Sequence, residues 1–163
     1  MKRQILIGND PGLRKQAVEV QAKDVLSSQT QKNIDDLLDT LEAADGLGLA
    51  APQIGINQRI VIVVQGNQRM CLVNPIVTTH SKERALGEEG CFSFPGLYGK
   101  VARYTKVSVD ALDRRGKALH FEAHDLDARV IQHELDHLNG VLLPDRLKEK
   151  EAAPTVIFEG QRL

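Results

Sequence analysis

The stretch Gln132-His133-Glu134-Leu135-Asp136-His137 decides how this chain folds and which chemistry it can carry. Histidines four positions apart lie one turn apart on the same face of an α-helix, so both imidazoles can reach one ion. Apolar residues surround the stretch: Val130, Ile131, Leu135 and Leu138. Their spacing predicts a buried helix. Burying imidazoles and carboxylates there costs free energy unless they are paired or coordinate a metal. We therefore predict a metal-binding helix in which Glu134 accepts a proton beside the ion without being a ligand.

The third protein ligand of the ion must come from another part of the chain. In one large protease class a third histidine lies three residues after a glycine. Here the glycine is Gly140, but the residue three positions later is Leu143. Another class takes a glutamate from a later helix, which makes Glu149 and Glu151 candidates. Pro154 interrupts the tail that carries both glutamates, so no helix is predicted there.

Two cysteines are the other candidates for the third ligand. Cys71 lies inside an apolar strand pattern, where a small core side chain is the alternative interpretation. Cys91 lies in the polar stretch Glu88-Glu89-Gly90-Cys91-Phe92-Ser93, predicted to be a loop, where a free thiol is the alternative. A thiolate with two imidazoles would leave one tetrahedral position open for water, as catalytic sites require.

Length, charge and cysteine content limit the class of protein. The 163 residues favour one catalytic domain over 1–163, with 145–163 as a C-terminal tail in which Val156-Ile157-Phe158 suggests a short strand. A net charge of −1 and two cysteines argue against nucleic-acid binding and against a disulfide framework. The N-terminus turns polar too early for a signal peptide, so the expected location is the cytoplasm.

Hydrophobic periodicity predicts the elements around the central helix. The expected helices are at 29–44 and 125–138, and a capping box of Ser28 and Gln31 starts the first of them. The expected strands are at 60–64 and 70–73, followed by a loop at 80–90 and a hairpin of 107–111 and 119–123. Strands are grouped apart from helices, which is typical of an α+β fold. We expect mixed or antiparallel β-sheets packed around a central metal-binding helix, with an additional N-terminal helix.

Three motifs in a fixed order resemble the peptide deformylase family. They are Gly46-Leu47-Gly48-Leu49-Ala50-Ala51-Pro52-Gln53, Glu89-Gly90-Cys91-Phe92-Ser93 and Gln132-His133-Glu134-Leu135-Asp136-His137. The resemblance spans roughly residues 10–143, and Phe92 stands where the family usually has leucine. Three ordered motifs are far more specific than any one of them.

The resemblance implies a ligand set and a cofactor. Cys91, His133 and His137 would hold one divalent metal, Fe²⁺ by family precedent, with Zn²⁺, Ni²⁺ or Co²⁺ as substitutes. Glu134 would act as base and then acid. The Gln53 side-chain amide and the Phe92 backbone N–H would stabilise charge on the substrate oxygen.

The resemblance also implies a substrate, the N-formyl-methionyl end of a newly made polypeptide, which would lose its formyl group as formate. Leu47, Gly48 and Gly90 would bind the peptide, and an apolar pocket near Leu126 would take the methionine side chain. A transient association with the ribosome is a further expectation, although the long C-terminal helix of some members is not predicted. No nucleic-acid specificity and no membrane association are expected.

Two alternatives to this function stay open at the level of sequence. One is a metallopeptidase of the His-Glu-x-x-His type that cleaves internal bonds, and the other is a non-catalytic metal-binding module in which Glu134 is structural. Arg103 and Asp136 are a candidate ion pair beside the site, with an ordinary surface charge as the alternative for Arg103.

Overall fold

A computed structural model describes residues 1–149 of the chain. In chain order its strands are β1 Gly48–Ala50, β2 Ile60–Gln65, β3 Gln68–His80, β4 Arg84–Cys91, β5 Phe94–Tyr104, β6 Lys106–Leu112 and β7 Ala118–His124. Its helices are α1 Ser28–Ala44, α2 Asp125–Leu138 and α3 Leu143–Glu149, with short 3-10 turns at Pro11–Arg14, Ala22–Asp24 and Ala51–Ile54. The α+β class is confirmed, because long antiparallel strands precede the helix that carries both histidines.

The strands form two separate sheets. Five of them pair antiparallel in the order β1-β2-β3-β6-β7, and β4 pairs with β5 in a two-stranded antiparallel hairpin. The predicted hairpin of β6 and β7 is confirmed, with Val109 opposite Phe121. Helix α2 packs against strands of both sheets, so the metal-binding helix is central as predicted.

Strand β2 explains why the run at 60–64 is continuously apolar. Ile60 and Ile62 face one core cluster, which includes the apolar stripe of α1. Val61 and Val63 face the other cluster, which includes Leu135 and Leu138 of α2. Because side chains alternate along a strand, a strand covered on both faces needs apolar residues at every position. The five-stranded sheet is therefore a layer between α1 and α2.

The predicted ends of the two main helices are largely confirmed. Helix α2 has the predicted bounds, and α1 begins one residue earlier than predicted. The capping prediction for α1 was wrong, because the N-cap is Ser27, whose hydroxyl accepts from the Thr30 backbone N–H at 3.2 Å. The Gln31 side chain instead donates to two backbone carbonyls, those of Val25 and Arg114.

The loop predicted at 80–90 was wrong. Strand β3 extends to His80 and β4 occupies Arg84–Cys91, while β5 was not predicted at all. Glycines, a proline and charged side chains weaken the strand pattern over this region. The hairpin can tolerate them because much of β4 is exposed rather than packed on both faces.

The tail also departs from the prediction. Helix α3 was not expected, but a proline is compatible with the first turn of a helix, and Pro144 is the second residue of α3. The predicted strand at 156–158 and the rest of the tail lie outside the described residues. Within residues 1–149, none of the helices combines the length and apolar composition needed to cross a membrane.

Candidate metal centre and active-site cleft

Helix α2 presents three chemically active side chains to one region. Glu134 and His137 are buried, at 4% and 1% exposure, and His133 is half-buried. The two imidazole rings lie edge to face with centroids 5.0 Å apart, as the spacing of four residues predicts. The apolar cluster of Ile131, Leu135 and Leu138 fixes the other side of this helix in the core.

Cys91 lies at the end of β4 and reaches the same place. Its Sγ lies 3.2 Å from His137 Nε2, and one ligand atom from each of Cys91, His133 and His137 lies within 4.8 Å of the others. The residue was predicted in a loop, but it is the last residue of a strand, just after a register shift in the β4–β5 pairing. We call these three residues the ligand cluster.

The donor set of the ligand cluster fits a divalent transition metal. Metal–sulfur and metal–nitrogen bonds of about 2.3 Å and about 2.1 Å put tetrahedral sulfur and nitrogen ligands about 3.6 Å apart. The observed separation of 3.2 Å between Cys91 Sγ and His137 Nε2 is close to that value. Burial holds the pKa of His137 well below its ordinary value, so its ring is neutral and able to coordinate.

Cys71, the other cysteine considered as a ligand, is not part of the cluster. Cys71 lies in β3 opposite Ile62, and burial raises the pKa of its thiol to about 12. It behaves as a small core side chain, the alternative considered from the sequence. Glu149 is the last residue of α3, whereas Glu151 and Pro154 lie outside the described residues.

Glu134 has the environment expected of a proton acceptor. Within the described part of the chain its Oε2 is buried without a hydrogen-bond partner. Burial raises the pKa of the carboxyl group to about 7, against the opposing effect of His133. A carboxyl group with a pKa near neutrality can both take up and release a proton at physiological pH.

Gln53 directs its amide nitrogen toward the ligand cluster. The side-chain oxygen accepts from the Ala50 backbone N–H at 2.9 Å, which fixes the orientation of the amide. Its Nε2 therefore faces Cys91 Sγ at 3.7 Å and donates to Ser93 Oγ at 3.2 Å. Residues from the first and second motifs thus meet beside the helix of the third.

Glu89 fixes the ring of His133, a role that the sequence analysis missed. Its Oε2 lies 3.0 Å from His133 Nδ1, so that the other ring nitrogen, Nε2, is left for a metal. Burial alone would raise the pKa of Glu89, but Arg103 lowers it below its ordinary value, which keeps the group ionised. The two residues are 44 positions apart, and no spacing rule in the sequence connects them.

Arg103 and Asp136 form the ion pair that the sequence suggested. Arg103 NH1 donates to Asp136 Oδ2 at 2.7 Å, and its Nε and NH2 each donate to Glu89 at 2.9 Å. The alternative of a surface charge was wrong, because Arg103 is only 1% exposed. Arg103 therefore links the strand that carries Cys91 to the helix that carries both histidines.

Cys91 and His133 of the ligand cluster line a cavity of about 510 Å³. Its lining includes all the residues predicted to bind or act on the substrate: Leu47, Gly48, Gln53, Gly90, Phe92 and Glu134. Leu126 and Val130 of α2 contribute apolar surface beside them, and Leu126 is 57% exposed. The cleft thus combines an apolar wall with a few converging polar groups, as small-molecule and peptide sites commonly do.

A side chain at position 48 is expected to impair catalysis because Gly48 lies against Glu134. A Cβ at this position would lie 2.8 Å from Glu134 Cδ and 2.9 Å from Cγ, and would displace the carboxylate. Since a misplacement of about 1 Å can cost about 100-fold in rate, we expect Gly48→Ala to lower kcat by about 10- to 100-fold. Steady-state kinetics on the metal-loaded variant measures this.

Gly66→Ala provides the control for Gly48→Ala. Gly66 has φ +58 and nothing within 4 Å of an added Cβ, so alanine would strain a turn that does not line the cleft. We expect Gly66→Ala to lower the melting temperature and leave kcat unchanged. A Gly48→Ala variant with the kcat of the wild type would contradict the assigned proximity of Glu134.

Taken together, the fold and the cleft are those of a metal-dependent hydrolase, in which a sulfur and two nitrogen atoms that could hold a metal ion lie beside a buried carboxylate. Residues 2–153 match the family model described as polypeptide deformylase. The chain belongs to that family of enzymes, and the two alternative functions considered from the sequence are not favoured.

Curated and solved relatives agree with this assignment. Peptide deformylase 2 of Vibrio cholerae is 49% identical over 148 residues, covering 88% of this chain and 85% of the relative. A crystal structure of peptide deformylase from Thermotoga maritima has a TM-score of 0.84 at 37% identity, covering 90% of this chain and 98% of that chain. A Met-Ala-Ser-bound class I type b peptide deformylase from Acinetobacter baumannii has a TM-score of 0.85 at 31% identity, with coverage of 90% and 98%.

Proposed function

We propose that this enzyme removes the formyl group from the N-terminal formyl-methionine of newly made polypeptides and releases formate. The observation that carries the proposal is the buried Glu134 carboxylate beside the Cys91, His133 and His137 ligand cluster, at the wall of a cleft of about 510 Å³. Membership of the polypeptide deformylase family gives independent support.

Cys91, His133 and His137 would hold the metal, and we propose Fe²⁺ as the ion in the cell. Zinc, nickel or cobalt suit the same sulfur and nitrogen donors and are expected to substitute. A divalent metal bound there would make a water molecule acidic near neutral pH and polarise the formyl carbonyl. Glu89 would support this by fixing the tautomer and orientation of His133.

Glu134 would transfer the proton between the attacking water and the departing amine. Its carboxylate would remove a proton from the water as the water oxygen bonds to the formyl carbon. The same proton would then pass to the substrate nitrogen as the carbon–nitrogen bond breaks. Formate and a free N-terminal amine are the products, so no other reactant is required.

The developing charge on the formyl oxygen needs donors that are already oriented. Gln53 would supply its Nε2, held by the Ala50 contact to its oxygen. Phe92 would supply its backbone N–H, so the change from leucine to phenylalanine at this position leaves the donor intact. Losing one donor of this kind typically raises the barrier by about 2.7–4 kcal/mol.

The peptide would bind in an extended conformation along the cleft. Leu47, Gly48 and Gly90 would offer backbone groups, while the methionine side chain would lie against Leu126 and Val130. The Acinetobacter baumannii relative, which is bound to Met-Ala-Ser, supports a peptide as the occupant. Cytoplasmic location and a transient ribosome association stay predictions.

A comparison of two peptides tests the proposed reaction. We expect formate release from N-formyl-Met-Ala-Ser and no hydrolysis of Met-Ala-Ser, because the formyl carbon is the group attacked. Formate is measured enzymatically and peptide fragments by mass spectrometry. Cleavage of an internal bond in either peptide would support the metallopeptidase instead. Metal binding without any turnover would support the non-catalytic module.

A further inference from the structure

Arg146 of α3 is buried against the metal-binding helix. The residue is 2% exposed although arginine is usually a surface residue. Its Nε donates to Asp136 Oδ2 at 2.8 Å and its NH2 to Asp136 Oδ1 at 2.5 Å. A guanidinium that engages both oxygens of a carboxylate fixes its orientation as well as its charge. Arg146 therefore holds Asp136 in one position, immediately before His137 in α2.

Asp136 connects Arg146 to the ligand cluster through further buried ion pairs. The oxygen that accepts from Arg146 Nε also accepts from Arg103 NH1 at 2.7 Å. Arg103 in turn engages both oxygens of Glu89, which lies 3.0 Å from His133 Nδ1. The buried ion-pair network is therefore continuous in the order Arg146, Asp136, Arg103, Glu89 and His133. It begins on α3 and ends on a ligand.

Helix α3 is anchored to the rest of the molecule at two other points. Leu147 packs on β5 at Gly99, where an added Cβ would lie 3.1 Å from Leu147 Cδ1. Asp145 pairs with Arg14 of the 3-10 turn Pro11–Arg14, and both side chains of this pair are partly exposed to solvent. The Arg14–Asp145 pair allows the effect of the Arg146–Asp136 contact to be tested separately from the docking of the helix.

We propose that Arg146 is a positioning residue for the metal site, acting through Asp136, Arg103 and Glu89 on His133. The inference deepens the proposed function and rests on it, because it assumes that His133 is a ligand. It assigns a role to α3, a seven-residue helix none of whose described side chains lines the catalytic cleft.

The physical reason is the burial of Asp136. Without Arg146, Asp136 Oδ1 would lose a charge-assisted hydrogen bond in a position that is 5% exposed. The carboxylate would then turn toward Arg103, which also holds both oxygens of Glu89. A shift of Arg103 loosens Glu89 and, through it, the ring of His133. Partners one step outside a metal's ligands commonly change affinity or activity by about 10- to 100-fold when they are removed.

The test uses the cobalt-loaded full chain, because the absorption of bound Co²⁺ reports the geometry of its ligands. For Arg146→Ala we expect an altered visible spectrum and a cobalt dissociation constant about tenfold higher by chelator competition. We also expect kcat for formate release to fall about tenfold while KM stays within about twofold, because the substrate does not touch Arg146. Arg146→Lys keeps the charge and should recover most of each loss.

Arg14→Ala is the matched control, because it removes the other arginine ion pair of α3 and leaves Asp136 untouched. We expect its cobalt spectrum and dissociation constant to equal those of the wild type. Thermal melts confirm that each variant is folded. If Arg146→Ala does not fold, Arg146→Lys decides instead, with an expected rise of about threefold in the dissociation constant because one of the two hydrogen bonds to Asp136 is lost.

The outcomes separate this inference from the proposed function. Wild-type protein that binds cobalt and releases formate, together with Arg146 variants of unchanged spectrum and affinity, would overturn the inference alone. An equal change in Arg14→Ala would also overturn it, because the effect would then come from the docking of α3. Wild-type protein that binds neither cobalt nor iron would overturn both.

Discussion

Replacing Glu134 with alanine is expected to lower kcat for formate release by about a thousandfold while the metal content stays unchanged. The carboxylate is buried in the cleft wall and is the proposed carrier of the proton from water to the departing nitrogen. Glu134→Gln keeps the size of the side chain and removes the proton acceptor, so an equal loss is expected. Single-turnover formate assays and metal analysis of the same preparations provide the measurement.

Glu88→Ala is the control for the Glu134 variants. Glu88 also lines the cleft, but it is exposed, so it tests the loss of a carboxylate from the same cavity. We expect its kcat to stay close to that of the wild type. A Glu134→Gln variant with nearly full turnover would show that another group moves the proton, and the non-catalytic role of Glu134 would then be favoured.

Replacing Cys91 with alanine is expected to reduce bound metal from about one ion per chain to almost none. The variant would lose the only sulfur of the ligand cluster and leave two imidazoles, and two protein ligands hold a divalent transition metal more weakly than three. His133→Ala should lose metal for the same reason. Metal analysis after gel filtration gives the stoichiometry.

Cys71→Ala is the matched control for the cysteine ligand. The substitution removes a thiol from the core strand β3, where burial raises its pKa to about 12, so the metal content should not change. Some loss of thermal stability is expected, because a half-buried side chain is shortened. Equal metal content in the Cys71 and Cys91 variants would contradict the ligand assignment.

The sequence was most informative where one physical constraint dominated. Helix α2 was predicted with its observed bounds, since its apolar periodicity and its histidine spacing both require a helix. The run at 60–64 was recognised as a strand because β-branched residues at every position suit a layer that is buried on both faces. In α2 and in the strand at 60–64, the structure favoured by the local sequence is the one that the packing of the fold requires.

The hairpin of β4 and β5 could not be predicted because its stability is not local. Its strands are stabilised by pairing over residues 84–104 and by Arg129, which donates to the carbonyls of Ala85 and Val101 from another element. Charged and glycine-rich strands of this kind have weak intrinsic β-propensity. The missed hairpin also explains why Cys91 was expected in a loop.

The buried charges around the site were the least predictable part. Glu89 belongs to the second motif, yet its contact with His133 depends on how β4 lies against α2. Nothing in the sequence singled out Arg146, which is buried on Asp136. Partners across long sequence separations follow from packing, which no periodicity in a single sequence encodes.

The most direct test of the account is a metal titration of formate release. Metal-free protein, purified without oxygen, receives increasing Fe²⁺, and formate released from N-formyl-Met-Ala-Ser is measured with bound iron in the same samples. We predict that activity rises in proportion to bound iron and levels off at about one ion per chain. Undiminished formate release from the metal-free protein, or none from the fully loaded protein, would contradict the claim that this cluster holds the catalytic metal.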